Sequence, residues 1–253
     1  MKIQKSKKVI SIKYIKKKII VTGGSGRFGK ILQGYKQKKY DLFFPTKKEL
    51  NILDTKNIAK YLNVKKPDIL IHLAGLSRPM NAHEKDIKKS IDLNIIGTAN
   101  ITKACKKNKI KLIYFSTNYV YPGTKGNYRE ADPLLPVNNY AWSKLGGEAS
   151  VQLYKNSLIL RVCMTEKPFV HDKAFANVKT NFIYHEDVAK FLFKLMNKKG
   201  IINIGGKPQY IYNFVKQENK KIKKIYLKKN SGLGMPIDSS MNISKLKKII
   251  KKN

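Results

Sequence analysis

Short apolar runs alternate along the chain with longer segments of helical character. The apolar runs predict buried strands at 18–21, 42–44, 68–74 and 110–115. Helices are predicted at 30–38, 56–64 and 84–107, and another begins near Tyr140. Strands that alternate with helices of this length indicate an α/β fold built on a parallel, doubly wound sheet.

The turn after the first predicted strand has the spacing G-x-x-G-x-x-G, with Gly23, Gly26 and Gly29, and a helix follows it. Glycines allow the backbone to approach a pyrophosphate closely, and the helix N-terminus offers free N–H groups to the anion. A strand, this turn and a helix in succession mark a dinucleotide site. We therefore predict a Rossmann-type fold, with Arg27 and Phe28 of the same turn also contacting the cofactor.

The end of the second predicted strand bears on the choice of cofactor. NAD sites often have an acid there that binds the ribose 2′-hydroxyl, whereas this strand runs into Thr46, Lys47 and Lys48. Basic groups suit a 2′-phosphate. The sequence therefore favours NADPH, with Thr46 and Lys47 as contacts and NADH as the alternative.

The fourth predicted strand and the helix after Tyr140 carry the candidate chemistry. Tyr140 and Lys144 are four residues apart, which places them on one helical face. A neighbouring ammonium should lower the pKa of the tyrosine from its usual value near ~10. Tyr140 could then give a proton to a carbonyl oxygen that the Thr117 hydroxyl also holds.

These motifs together resemble the extended short-chain dehydrogenases. The stretch Ser116 to Tyr121 and the helix from Tyr140 to Glu148 resemble, more specifically, the dTDP-4-dehydrorhamnose reductases, over roughly residues 18–162. The resemblance implies a role in nucleotide-sugar metabolism and polysaccharide biosynthesis. It assigns catalysis to Thr117, Tyr140 and Lys144. For the cofactor, it implies Asp54 near the adenine, Ala74 and Gly75 along the bound dinucleotide, and Asn94 as a residue that supports the site. The residues that it implies at the sugar nucleotide are Asn118 and Tyr121.

The implied organisation has a basic N-terminal extension at 1–17 and an NAD(P)-binding Rossmann domain at 18–162. A small C-terminal substrate-binding lobe follows at 163–253, with segments that return to the Rossmann core. This chain departs from the family at Asn118, where aspartate is common, and at Val162-Cys163-Met164, where a tryptophan usually follows the arginine. The lobe is also shorter than usual.

Three functions are compatible with these features. The leading hypothesis is an NADPH-dependent reductase of a keto group on a nucleotide-activated deoxysugar. An epimerase or dehydratase of the same superfamily is an alternative, although Asn118-Tyr119 lacks the extra acid–base pair those enzymes use. The shortened lobe favours a third function, that of a non-catalytic regulatory subunit that binds a sugar nucleotide or NADP. A homodimer is compatible with each of these three functions.

The formal net charge of +37 raises the question of nucleic acid. The lysines are spread along the whole chain and only four residues are arginine, whereas specific nucleic-acid readers rely on arginine forks. We therefore expect solvated lysine faces that steer anionic ligands such as a nucleotide diphosphate, and no specific nucleic-acid site.

Other features limit the setting and the remaining candidates. No apolar run approaches the roughly 20 residues of a membrane-spanning helix, and two cysteines with ungrouped histidines predict neither a disulfide framework nor a metal site. A reducing cytoplasm is expected.

Arg161 is predicted to bind either substrate phosphate or a structural carboxylate. The other single-residue predictions are an inert buried thiol at Cys163, a surface lysine partner at Glu148 and a packing residue at Trp142.

Overall fold

The computed structural model describes residues 16–228 and 234–251. The predicted extension at 1–17 therefore lies almost entirely outside the described residues. The strands are β1 Lys17–Thr22, β2 Tyr40–Phe43, β3 Ile69–His72, β4 Lys111–Thr117, β5 Ser157–Val162, β6 Met164–Thr165, β7 Lys173–Phe175, β8 Lys179–Thr180, β9 Ile183–Tyr184, β10 Gly200–Ile204, β11 Gln209–Tyr210 and β12 Lys223–Ile225. The helices are α1 Arg27–Gln33, α2 Thr55–Lys65, α3 Ala82–Lys85, α4 Ile87–Ile91, α5 Gly97–Lys107, α6 Asn139–Gln152, α7 His185–Leu195, α8 Ile211–Lys216 and α9 Ser244–Lys251.

The central sheet has six strands in the order β10-β5-β4-β3-β1-β2, and every neighbouring pair is parallel. Residues of β1, β3, β4 and β5 are almost all buried, as expected for a parallel sheet that is covered on both faces. The predicted doubly wound parallel fold is thus confirmed. Loops at the carboxyl ends of these strands converge on one edge, where ligands of such sheets bind.

Two layers of helices cover the sheet. On one face, Leu32 of α1, Leu192 of α7 and Leu246 of α9 pack in one apolar cluster with strand residues. On the other face, Ile58 of α2 and Ile101 of α5 pack in a second cluster. Within the described ranges, no helix has both the length and the apolar character needed to cross a bilayer.

The chain after β5 contributes to the sheet and also forms a smaller unit. Strand β10 extends the sheet beside β5, and α7 and α9 cover one face of it. The other strands after β5 form three two-stranded pairs, which are β6 with β9, β7 with β12, and β8 with β11. Ala174, Val178, Ile211, Val215 and Ile222 are buried together in one hydrophobic cluster of this small lobe.

The predicted elements match the observed ones best for strands. The first helix begins at Arg27 inside the glycine turn and ends at Gln33, earlier than the predicted 30–38. The predicted helix at 84–107 is instead divided into α3, α4, a π-helical turn Asp92–Ile96 and α5. At Asp86, between α3 and α4, the backbone leaves helical geometry with φ −138° and ψ 72°.

Candidate active site

The glycine turn folds tightly against the end of β3. Gly23 has a φ of +73°, and a Cβ there would lie 2.6 Å from the backbone nitrogen of Ala74. A Cβ at Gly29 would lie 2.5 Å from the carbonyl oxygen of Gly24, so only glycine lets α1 begin this close to the turn. The turn, Ala74 and Gly75 therefore meet at the carboxyl edge of the sheet.

An acid, Glu49, lies just beyond Thr46, Lys47 and Lys48 in the loop that follows β2. The carboxylate of Glu49 accepts hydrogen bonds from the backbone N–H of Thr46 at 2.7 Å and from its hydroxyl at 2.9 Å. The backbone hydrogen bond is the main cause of the lowered pKa of Glu49. The Thr46 hydroxyl is thus engaged with Glu49, while Lys47 and Lys48 are exposed. The sequence did not reveal this because Glu49 reaches back through a turn.

Asn94 lies in the π-helical turn and joins two parts of the site. Its Oδ1 accepts from the backbone N–H of Leu76 at 2.7 Å, and its Nδ2 donates to Ser143 Oγ at 2.8 Å. Ser143 in turn donates to the carbonyl of Tyr140 at 2.7 Å. This position suits the supporting role that the resemblance implies. Asp54, in contrast, caps the N-terminus of α2 with its carboxylate.

The end of β4 and the first turns of α6 bring the three predicted catalytic residues to one place. The Thr117 hydroxyl lies close enough to the phenol of Tyr140 to lower its pKa, and it donates to Oδ1 of Asn118 at 3.4 Å. One turn further along α6, the Lys144 ammonium lies 4.2 Å from the ring centroid of Tyr114, whose hydroxyl donates to the Lys144 carbonyl at 3.0 Å. The ring of His83 contacts that of Tyr140 edge-on, with 5.2 Å between centroids.

The electrostatics of this group differ from the expectation that Lys144 lowers the pKa of Tyr140. Burial raises the pKa of Tyr140, against smaller lowering effects from the Thr117 hydrogen bond and the charges of Arg78 and Arg27. Burial also lowers the pKa of Lys144 to about 7, although the nearby carboxylate of Glu148 opposes this. Arg78 and Arg27 thus act on Tyr140 as positive charges that the catalytic prediction did not include.

Two arginines and a glutamate meet beside these residues. The Nε of Arg27 lies 2.9 Å from Oε1 of Glu166, and Nη1 of Arg78 lies 3.0 Å from the same oxygen. His185, at the start of α7, is buried nearby and interacts electrostatically with all three. Sequence reasoning missed Arg78 and Glu166. The scarcity of arginine could have indicated Arg78, whereas nothing distinguishes Glu166 among the 16 acidic residues.

A family model described as "RmlD substrate binding domain" matches residues 17–199. The chain belongs to this family. The matched region contains the whole glycine turn, the β4 end, α6 and the arginine–glutamate group.

Three proteins illustrate the similarity to the RmlD substrate binding domain family. The chain is 33% identical over 148 residues to the spore coat polysaccharide biosynthesis protein SpsK of Bacillus subtilis, which covers 57% of this chain and 52% of that protein. It is 28% identical over 143 residues to the methionine adenosyltransferase 2 subunit beta of Pongo abelii, covering 53% and 42%. The matches thus span about half the length of these relatives. The structure of a dTDP-4-dehydrorhamnose reductase from Bacillus anthracis in complex with NADP superposes with a TM-score of 0.81 at 23% identity, covering 92% of each chain.

Two predicted substrate contacts of this RmlD-family chain lie inside the fold. Arg161 is 1% exposed and donates to Glu148 at 2.6 Å and to the hydroxyl of Tyr121 at 2.8 Å. Tyr121 is fully buried, and its ring stacks on Tyr128. Arg161 therefore has the structural carboxylate that the sequence left open, and the predicted surface position of Glu148 is wrong. The positions of Arg161 and Tyr121 do not support a substrate contact.

Three further candidates are also buried. Asn118 is 4% exposed and donates to Ser239 Oγ at 2.9 Å, so it holds the C-terminal segment against the end of β4. Phe28 of the glycine turn packs on the ring of Phe115 rather than facing solvent. Cys163 is buried, as predicted, and burial raises its thiol pKa to about 12.

Proposed function

We propose that this chain reduces a keto group on a nucleotide-activated sugar with NADPH. The observation that carries the proposal is the approach of the Thr117 hydroxyl to the phenol of Tyr140, with Lys144 one turn away on α6, beside a close-packed glycine turn. Both features lie at the carboxyl edge of the parallel sheet, where such folds bind ligands.

The residues at this edge fit a dinucleotide. The turn from Gly23 to Gly29 lets backbone come near a pyrophosphate. Ser116 Oγ, next to Thr117, is buried and has no hydrogen-bond partner among the described residues, which suits a bound polar group. Lys47 and Lys48 favour a 2′-phosphate, whereas Glu49 is the feature that would favour NADH. When bound, NADPH would supply a hydride to the carbonyl carbon.

The chain's own groups supply the proton. The hydroxyls of Thr117 and Tyr140 would both hydrogen-bond to the carbonyl oxygen of the substrate. Tyr140 donates its proton to that oxygen as the hydride reaches the carbon, so the ketone becomes an alcohol. Lys144, which is still partly protonated near pH 7, returns a proton from its ammonium group to the phenolate. We assign this Tyr/Lys mechanism to Thr117, Tyr140 and Lys144.

A non-catalytic binding subunit is the second candidate. The similarity to methionine adenosyltransferase 2 subunit beta, together with the small lobe after β5, favours it. In that case the same edge of the sheet would bind NADP or a sugar nucleotide without turnover. An epimerase or dehydratase is less favoured, because Asn118 is bound to Ser239 and offers no acid–base group.

The Tyr140→Phe variant separates these functions. We expect it to abolish NADPH oxidation with a panel of nucleotide 4-keto-sugars, while the Kd for NADPH, measured by calorimetry, changes by no more than a few-fold. The phenol is required for proton transfer but not for holding the cofactor. Retention of most activity in this variant would disprove the mechanism. Tight NADPH binding by the wild type without oxidation of any sugar would support the binding subunit.

We also propose a cytoplasmic homodimer. Cys105 and Cys163 are buried and unpaired, which is compatible with a reducing compartment. A groove of about 410 Å³ between α4 and α6 is lined by described residues that include no lysine, arginine or acid. In a chain with a net charge of +37, such a surface is where two copies could approach most closely.

A further inference from the structure

Lysines are spread along the sequence, but the fold brings many of them to the amino edge of the central sheet, which is the edge opposite the candidate active site. Each of the six strands in this sheet contains a lysine near its start or follows one closely. In sheet order, the exposed lysines of this lysine edge are Lys38 and Lys39 before β2, Lys17 and Lys18 in β1, Lys66 before β3, Lys109 before β4, Lys155 before β5, and Lys198 and Lys199 before β10. Because neighbouring strands lie about 4.8 Å apart, the row is roughly 24 Å long.

Hydrogen bonds hold the lysines of neighbouring strands side by side. The backbone N–H of Lys17 donates to the carbonyl of Lys39 at 3.1 Å. The half-buried ammonium of Lys111, at the start of β4, donates to the carbonyl of Lys198 at 2.6 Å. Burial, followed by the charges of Lys199 and Lys17, lowers the pKa of Lys111 to about 8. Positive charges are therefore crowded along this edge.

Few carboxylates offset this charge. Among the described residues that begin the six strands or lie in the turns just before them, only Asp41 and Asp68 are acidic. Asp41 is paired with Lys16 at 3.1 Å, and Asp68 accepts from the backbone N–H of Lys18 at 2.8 Å. Within the described part of the chain, none of the exposed lysines named above forms an ion pair. A surface with such an excess of unpaired cations attracts a polyanion.

Exposed aliphatic side chains at the same edge indicate which polyanion fits. Leu153, which caps the end of α6, is 88% exposed, and Val64 in the last turn of α2 is 73% exposed. Aliphatic side chains among lysines suit a lipid bilayer, where the side chains enter the headgroup boundary and the lysines bind anionic headgroups. A nucleic-acid surface would instead present arginine forks or exposed aromatic rings. The arginines and the exposed aromatic side chains of the described residues lie outside this edge.

We propose that the lysine edge binds this protein to an anionic phospholipid surface, with Leu153 entering the headgroup region. The glycine turn, Thr117 and Tyr140 lie at the other ends of the same strands. A molecule bound in this orientation keeps its candidate active site open to the aqueous phase. The interface does not depend on which reaction that site performs.

Vesicle binding tests the charge of the lysine edge. We expect the full chain to co-sediment with vesicles made of equal parts phosphatidylserine and phosphatidylcholine, and not with vesicles of phosphatidylcholine alone. Added sodium chloride should release it, because salt screens the attraction. The triple variant Lys109→Glu, Lys155→Glu and Lys199→Glu should bind the mixed vesicles about tenfold or more weakly.

The matched control makes the same change of charge in the small lobe, with Lys173→Glu, Lys207→Glu and Lys221→Glu at exposed positions. It should weaken vesicle binding far less than the lysine-edge variant. Both triple variants should keep the wild-type Kd for NADPH, which shows that they are folded whether or not the chain is a reductase. Equal weakening by the two variants would mean that binding follows net charge alone, and it would overturn the proposal.

A fluorescent label tests the orientation directly. Cys105 and Cys163 are 0% and 2% exposed, so an environment-sensitive thiol dye should react selectively with the new cysteine of Leu153→Cys. Its emission should shift to the blue when phosphatidylserine vesicles are added. The same dye on Val170→Cys, at a position of the small lobe that is 54% exposed, should not shift. Equal shifts at the two positions, or no shift at either, would contradict the orientation.

Duplex DNA provides the alternative outcome. If the chain binds DNA and the lysine-edge variant loses that binding, while mixed vesicles are not bound, the edge is a nucleic-acid surface and the membrane proposal is wrong. If vesicles bind as expected but no keto-sugar is reduced, the membrane surface stands and the proposed reaction is wrong.

Discussion

At the scale of single residues, Arg161 and Glu148 form an ion pair whose side chains are 2% and 0% exposed. Arginine is scarce in this chain and Arg161 lies in an apolar strand, so the sequence identified this residue as important. Its partner could not be predicted, because Glu148 comes from α6 and only the packing of that helix on β5 brings the two charges together. A lysine-rich chain offers every glutamate many surface partners, which is why Glu148 was predicted to pair with a surface lysine. That prediction was wrong. The burial of Cys163, which follows an apolar strand, was predicted correctly.

The buried pair predicts a large effect of Glu148→Gln on stability. The change leaves Arg161, 1% exposed, as an uncompensated charge in the core. We expect the free energy of unfolding to fall by about 3–5 kcal/mol, measured by urea denaturation. Glu218→Gln, at the exposed pair with Lys167, should cost no more than about 1 kcal/mol. Equal losses in the two variants would mean that Arg161 is satisfied without Glu148.

At the scale of elements, the least accurate prediction was the helix at 84–107. Apolar spacing continues through this segment, so nothing in the pattern reveals the break at Asp86 or the π-helical turn that follows. The break has a clear local cause, since the Asp86 carboxylate caps α4 by accepting from the backbone N–H of Lys89. The π-helical turn buries Asn94 where it can bind Leu76 and Ser143. Such turns are frequent at functional sites.

The contact between α6 and the π-helical turn predicts the effect of Gly147→Ala. An added Cβ would overlap the carbonyl oxygen of Asn94 and lie 2.7 Å from the hydroxyl of Tyr114. Helix α6 must then move, which should cost about 1–3 kcal/mol in unfolding free energy and lower turnover by displacing Tyr140. In Gly34→Ala the Cβ would meet only the Ile31 carbonyl, at 3.4 Å. That control should retain stability and turnover, and loss in both variants would contradict the packing argument.

At the scale of the molecule, the alternation of strands and helices was enough to predict a parallel sheet and the edge at which the glycine turn and β4 end. It could not show which later segments return to that sheet. Strand β10 and helix α9 do so because β5 and the apolar face of the sheet would otherwise be uncovered. The same limit applies to the site. Sequence motifs were enough to predict Thr117 and Tyr140, whereas the position of Glu166 depends on the path of the chain after β5 and could not be predicted.

One part of the surface of the molecule, the groove between α4 and α6, supports a homodimer. Ile87, Ile91 and Trp142 are 55%, 41% and 50% exposed around the groove between α4 and α6, so Trp142, predicted to be a packing residue, is half exposed. Burial of these side chains against a second copy would favour association, while the net charge of +37 would oppose it. Salt screens that repulsion, with a Debye length of about 10 Å at 0.1 M.

We therefore expect sedimentation velocity to show a dimer that strengthens with added sodium chloride. Trp142→Lys should make the chain monomeric, because it places a charge in each copy of the groove. Val64→Lys adds the same charge at a residue of α2 that is 73% exposed and outside the groove, and it should leave the dimer intact. A wild-type chain that stays monomeric at every salt concentration, or equal dissociation by the two variants, would rule out this face as the interface.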